Sequence, residues 1–166
     1  LGRCEQGMIR TGDELEIVGL HAERRVVNCM NLEIAKQTVD EAFAGYEVGV
    51  LVNCTEHQVK PGMVLASPDT ISSHTDFISL VRMLHCINES RILVFPNNEL
   101  EFSIRKGLVK GRIVSLSDLD GNVVKMVLPG DRRMQMRVSL ELPVALEKNL
   151  CFIIRKEGKS IFAGKI

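Results

Sequence analysis

Residues 133–142 read Arg-Met-Gln-Met-Arg-Val-Ser-Leu-Glu-Leu. Met134, Met136, Val138, Leu140 and Leu142 alternate with Arg133, Gln135, Arg137, Ser139 and Glu141. A period of two places one set on each side of an extended chain, so this is a strand with one face in a core and the other in water. Working outward, Leu100, Phe102 and Ile104 alternate in the same way with Glu101, Ser103 and Arg105. That pattern gathers the three polar side chains on one solvent face.

Shorter runs at 14–18, 25–30, 48–52, 63–66, 76–84, 109–116, 123–128, 152–155 and 160–163 also read as strands. Turn chemistry separates them: Thr11-Gly12-Asp13, Ala44-Gly45, Lys60-Pro61-Gly62, Ser67-Pro68-Asp69, Pro96-Asn97-Asn98, Asp120-Gly121-Asn122 and Pro129-Gly130-Asp131. Many short strands with frequent punctuation specify an all-β sandwich or barrel. One segment departs from this. In 31–43, Leu32, Ala35, Val39 and Ala42 fall at helical spacing, which predicts a short helix or wide turn there. The stretch 67–73, with Pro68, Asp69 and two serines, reads as a linker, giving two consecutive small β-barrels over 1–68 and 69–166.

The 166 residues are 45% hydrophobic and 25% charged, the composition of a soluble globular chain with room for one ordinary domain or two small ones. No run approaches the roughly 18 apolar residues of a membrane span, and the N-terminal residues do not follow the signal-peptide pattern. No membrane partner is expected, and a cytoplasmic or organelle-matrix setting is. The opening Leu1-Gly2-Arg3-Cys4-Glu5 reads like the interior of a strand, so the chain is expected to be part of a longer protein. Cys4, Cys29, Cys54, Cys86 and Cys151 are odd in number and scattered, without a C-x-x-C pair, and read as reduced structural thiols. The sequons at Asn53 and Asn88 matter only in a secreted chain.

Twenty-one basic and 21 acidic residues give a formal net charge of zero and a pI near 7.1. A free-standing nucleic-acid binder usually has a pI above about 9, so any phosphate binding here must come from local patches. No catalytic constellation is evident. Gly158-Lys159-Ser160 matches only the end of a P-loop, whose first glycine would fall at Ile153, and reads better as a turn entering a strand. His21, His57, His74 and His85 lack a neighbouring nucleophile signature and read as surface or packing side chains. No metal site is expected, and the Met134/Met136 stripe is core.

The motifs in order do resemble a known family. Residues 2–20 (GRCEQGMIRTGDELEIVGL), 44–51 (AGYEVGVL) and 61–77 (PGMVLASPDTISSHTDF) are similar to the second domain of bacterial and organellar elongation factor Tu and its exit into the third. Residues 125–131 (KMVLPGD) and 151–166 (CFIIRKEGKSIFAGKI) are similar to the third domain and its closing segment. The likeness spans nearly the whole chain and is poor only between about 85 and 99. Strands of the G-D-E-x-E-I-x-G type occur across translational GTPases, so the ordered set is more specific than any one motif.

The resemblance implies a part of a delivery machine. Family members carry aminoacyl-tRNA to the ribosome, holding GTP and Mg2+ in an N-terminal domain while the two barrels grip the tRNA. The first strands of the second domain are expected to lie outside this chain. A nucleotide-exchange factor is an implied partner, the chain is expected to act as a monomer, and divergence from bacterial members suggests the mitochondrial matrix, with the cytoplasm as alternative.

Double-stranded T-stem RNA is read through shape, phosphates and 2′-hydroxyls. The family residues that do so match Arg91, Glu101, Arg105, Lys110, Lys156, Glu157 and Gly158 here. The match is imperfect. A G-G-R-H loop has become Glu89-Ser90-Arg91-Ile92, a Gln has become Glu101, whose charge would repel phosphate unless a cation intervenes, a Thr has become Lys110 and a Glu has become Lys156. In the second domain the Asn near the amino-acid moiety matches Glu47, a pocket-edge Thr matches Leu1, and a basic stretch has become Asn53-Cys54-Thr55-Glu56-His57. The rival expectation is a two-barrel scaffold that has lost tRNA and binds a protein. Clustering of Arg91, Arg105, Lys110, Lys156 and Lys159 would favour RNA, while their dispersal, or neutralisation by Glu101 and Glu157, would favour the scaffold.

Overall fold

The 133–142 alternation forms part of the longest strand in a computed structural model, which describes residues 1–21, 23–54, 59–84, 93–127 and 133–166. All regular structure in these residues is β, as two units. The first comprises Leu1–Val18, Glu23–Val59 and Val64–Ile71. The second comprises Ser72–Ile166 with two short turns, Gly19–Ala22 and Lys60–Met63.

The first unit holds β1 (Gly2–Arg3), β2 (Met8–Arg10), β3 (Glu14–Val18), β4 (Arg25–Ile34), β5 (Gln37–Val39), β6 (Glu41–Phe43), β7 (Glu47–Val52) and β8 (Val64–Ala66). An antiparallel sheet runs β1-β7-β4-β3-β8, with β5 paired to β4 and a separate β2–β6 ribbon. It curls as a half-barrel over Leu15, Ile17, Val27, Cys29, Leu32, Ala42 and Val48. Burial raises the pKa of the Cys29 thiol, with Asp13 adding to the effect, which makes it a packing group rather than a nucleophile. Buried Glu16 is satisfied rather than stranded: Arg24 Nε lies 2.8 Å from it and the Asp69 amide donates to it at 3.2 Å. Arg24 also reaches Asp69 at 2.7 Å, and the Asp69 carboxylate, then Glu16, raises the guanidinium pKa.

The helical reading of 31–43 is corrected. The segment is a hairpin whose two turn residues, Ala35 and Lys36, both sit at positive φ (50° and 66°), the type I′ signature. Leu32 pairs directly with Val39 across it. A two-residue turn thus brings residues seven apart face to face, and that spacing imitates two turns of helix.

The second unit is a closed six-stranded antiparallel barrel of β9 (Ser72–Met83), β10 (Glu99–Ile104), β11 (Gly107–Ser117), β12 (Met134–Leu146), β13 (Cys151–Lys156) and β14 (Lys159–Lys165). Its ring order is β10-β11-β12-β9-β14-β13. Met134, Met136, Val138 and Leu140 point inward as the alternation requires. Leu142 does not, and is corrected to the surface. The β12–β9 register breaks between Ser139 and Val144, and the extra residues, ending at Pro143, reset the phase. In the core, Phe77 meets Phe152 edge-on at 5.5 Å and Phe102 at 6.5 Å. Gly164 lies under the Phe152 ring, in space that a Cβ would contest. Of the run 123–128, the described residues 123–127 form isolated bridges, from Val123 to Ser117 and from Val127 to Val94.

Candidate nucleic-acid interface

β10 buries Leu100, Phe102 and Ile104, so Glu101 and Ser103 face outward as their alternation demands. Glu101 pairs with Lys110 on β11 to one side and with Arg155 on β13 to the other. Directly opposed side chains on one face lie about 5 Å apart at Cβ, so both cations offset the carboxylate. The cation that a phosphate would need beside Glu101 is therefore supplied twice. No ion pair closes between these three groups among the described residues, which leaves Lys110 exposed to solvent. One row further along, Glu99 faces Arg112.

The turn joining β13 to β14 completes the patch. Lys156 pairs with Lys159 across Glu157 and Gly158, both at positive φ (50° and 77°). Gly158-Lys159-Ser160 is therefore a type I′ hairpin entering a strand, and not a strand-to-helix loop that could cradle GTP phosphates. Arg155 Nη2 donates to the Gly158 carbonyl at 2.9 Å, while its Nε is shielded from water without an acceptor among the described residues. Lys156 Nζ donates to the Leu93 carbonyl at 3.2 Å. Glu157 is exposed and places one negative charge at the patch edge.

Arg105 is not on this face. Its expected place on the solvent side of β10 is corrected, because the strand ends at Ile104 and Arg105 opens the turn to β11 with φ 55°. Its side chain is only 8% exposed, and Nη2 lies 2.9 Å from Glu147 Oε1. Four residues along a strand is about 13 Å, so Arg105 sits at the opposite end of β10 from the Lys156–Lys159 turn. Arg91 lies outside the described residues, as do Thr55, Glu56 and His57.

In the first unit, Glu47 pairs with Arg3 and Gly2 with Val48, which sets Leu1 and Glu47 along the same β1–β7 edge. Phe43, paired with Met8, and Tyr46 are exposed nearby. Sequence reasoning missed these aromatics and Arg155. The signal for Arg155 was available: reading Glu157-Gly158 as a two-residue turn fixes the outward parity of β13. Among the described residues, no three His, Cys, Asp or Glu side chains converge as metal ligands.

The arrangement can present cations to an anionic backbone on the β11-β10-β13 wall. Comparison with protein families agrees with the two-unit division: residues 1–66 match elongation factor Tu domain 2, and residues 70–166 match the elongation factor Tu C-terminal domain. With both matches in the order the family uses and together covering nearly all of the sequence, the chain belongs to the elongation factor Tu family and is translation elongation factor-like.

Proposed function

We propose that this chain is the tRNA-gripping part of a factor that delivers aminoacyl-tRNA to the ribosome, under the control of GTP and Mg2+ held outside these residues. One observation carries the reading: Glu101, Lys110 and the Lys156, Glu157, Gly158 turn, far apart in sequence, share one wall of the second barrel. Lys110 and Arg155 offset Glu101 there, so a phosphate meets net positive charge. Arg91 belongs to the same grip in this reading, and Glu47 and Leu1 border the pocket for the acceptor end. A nucleotide-exchange factor recycles the protein, and the mitochondrial matrix is its setting.

The test is binding of the full-length, GTP-loaded protein to aminoacylated and deacylated tRNA across a salt series. The expected result is a preference for the aminoacylated form, with a salt slope that falls by about one on Lys110→Ala. Equal binding of the two forms would refute delivery. A second reading, the protein-binding scaffold, is favoured by one specific observation, the capture of Arg105 by Glu147. It predicts no tRNA binding even at low salt.

A further inference from the structure

The barrel wall on the far side from β10 carries different chemistry. On β9, Phe77, Ser79 and Val81 point inward, which leaves Asp76, Ile78, Leu80 and Arg82 outward. Ile78 and Leu80 are 54% and 52% exposed, side by side on a wall that alternation would ordinarily make polar. Arg137 lies opposite Ile78 on β12, and Gln135 and Lys165 flank Leu80 on β12 and β14. Arg82 follows on β9, and Arg133 directly precedes β12. All four cations are exposed, and none forms an ion pair among the described residues. Asp76 accepts a hydrogen bond from the Thr75 hydroxyl at 2.8 Å.

We propose that this wall docks a protein partner through an amphipathic segment whose apolar side chains are flanked by aspartates or glutamates. The aliphatic pair gains by meeting apolar groups, and the surrounding cations gain by meeting anions, which on a protein are carboxylates. RNA fits less well, because Ile78 and Leu80 offer no donor to a phosphate or a 2′-hydroxyl at the centre of the patch. At Leu80 the strand is paired on both sides, with Gln135 on β12 and Lys165 on β14, so a partner cannot add a strand there. It must lie across the wall, side chain to side chain, as a helix does on an apolar stripe. β9 stands three strands from β10 either way round the ring, so the inference does not depend on the RNA reading.

The experiment is fluorescence anisotropy of the 166-residue chain with a labelled helical peptide presenting leucines flanked by glutamates. A copy of the peptide with lysine for glutamate and a short RNA duplex serve as comparison probes. The acidic peptide should bind saturably and the lysine copy should not. Ile78→Ser with Leu80→Ser should weaken binding about tenfold, since both lost contacts are aliphatic. Arg137→Gln with Lys165→Gln should weaken it and flatten its salt dependence. All four substitutions sit on a solvated wall, and unchanged circular dichroism would verify the fold. The proposal is overturned if the acidic peptide fails to bind at low salt, or if the serine variant binds as well as the original. It is also overturned if the RNA duplex displaces the peptide, or if sedimentation shows a self-association that the serine variant abolishes.

Discussion

Changing Glu147 to Gln tests whether Arg105 is a structural or an RNA-facing group. At 2.9 Å, two unit charges in an effective dielectric of about 20 attract by roughly 6 kcal/mol before desolvation is counted. Most of that is returned, because the guanidinium has left water while the carboxylate is still one-third exposed (33%). Truncating one partner should therefore cost about 1–3 kcal/mol, most of it the penalty of a shielded cation left without its carboxylate. Replacing both, as Arg105→Met with Glu147→Leu, should recover much of the loss. The assay is amide hydrogen exchange of β10 and β11, which reports the second barrel by itself, read at fixed pH for the original, for Glu147→Gln and for the double variant. Faster exchange in Glu147→Gln with recovery in the double variant would support the pair as a clamp. A cost below about 0.5 kcal/mol, within the range of ordinary surface substitutions, would refute the reasoning and return Arg105 to the RNA-binding candidates.

Glu101→Gln should strengthen tRNA binding while Lys110→Ala weakens it, and the double variant should depart from additivity because the two side chains oppose each other directly; filter binding in a salt series reads all three. Asp118 accepts hydrogen bonds from the Asn122 side chain and backbone and from the Asp120 amide, which lowers its pKa below the ordinary 3.8. Its carboxylate therefore supports the loop above pH about 4, and that support drains away as pH falls through the depressed value. A carboxyl-carbon NMR titration should give a midpoint below the ordinary one, returning toward it in Asn122→Ala. Gly164→Ala should destabilise the second barrel by about 1–3 kcal/mol, since the new methyl contests the Phe152 ring; an unchanged urea midpoint would contradict that packing.

The strands were legible wherever one face met a core and the other met water. Met134 to Leu140 declared both its periodicity and its inward set, and Glu101 was correctly turned outward by its neighbours Leu100 and Phe102. Legibility failed where the chain changes direction without a glycine or proline to announce it. Ala35-Lys36 is a left-handed turn made from two ordinary residues, and its hairpin imitated a helix; Arg105 opens a turn in the same way, and there the alternation of β10 was carried one residue too far. Leu142 was lost to a register break that only the partner strand reveals. The candidate site was half readable for a related reason. Which residues face outward is a local property, but which cations stand beside Glu101 is set by pairing with β11 and β13, and composition carries no record of that.

The ring order of the second barrel also governs how it can come into being. β9 is the first strand of the unit to be synthesised and β14 the last, yet they are neighbours, with Met83 beside Phe162. Every strand between them can pair locally to some extent while the circle stays open. Closure waits for β14 to slot between β9 and β13, and it is paid for in loop entropy that no earlier contact repays. On a translating ribosome, such a barrel matures late and in one step. Until then β9 has one bare edge, with Ile78 and Leu80 beside it, and this is the interval in which the nascent chain is most exposed to wrong pairing.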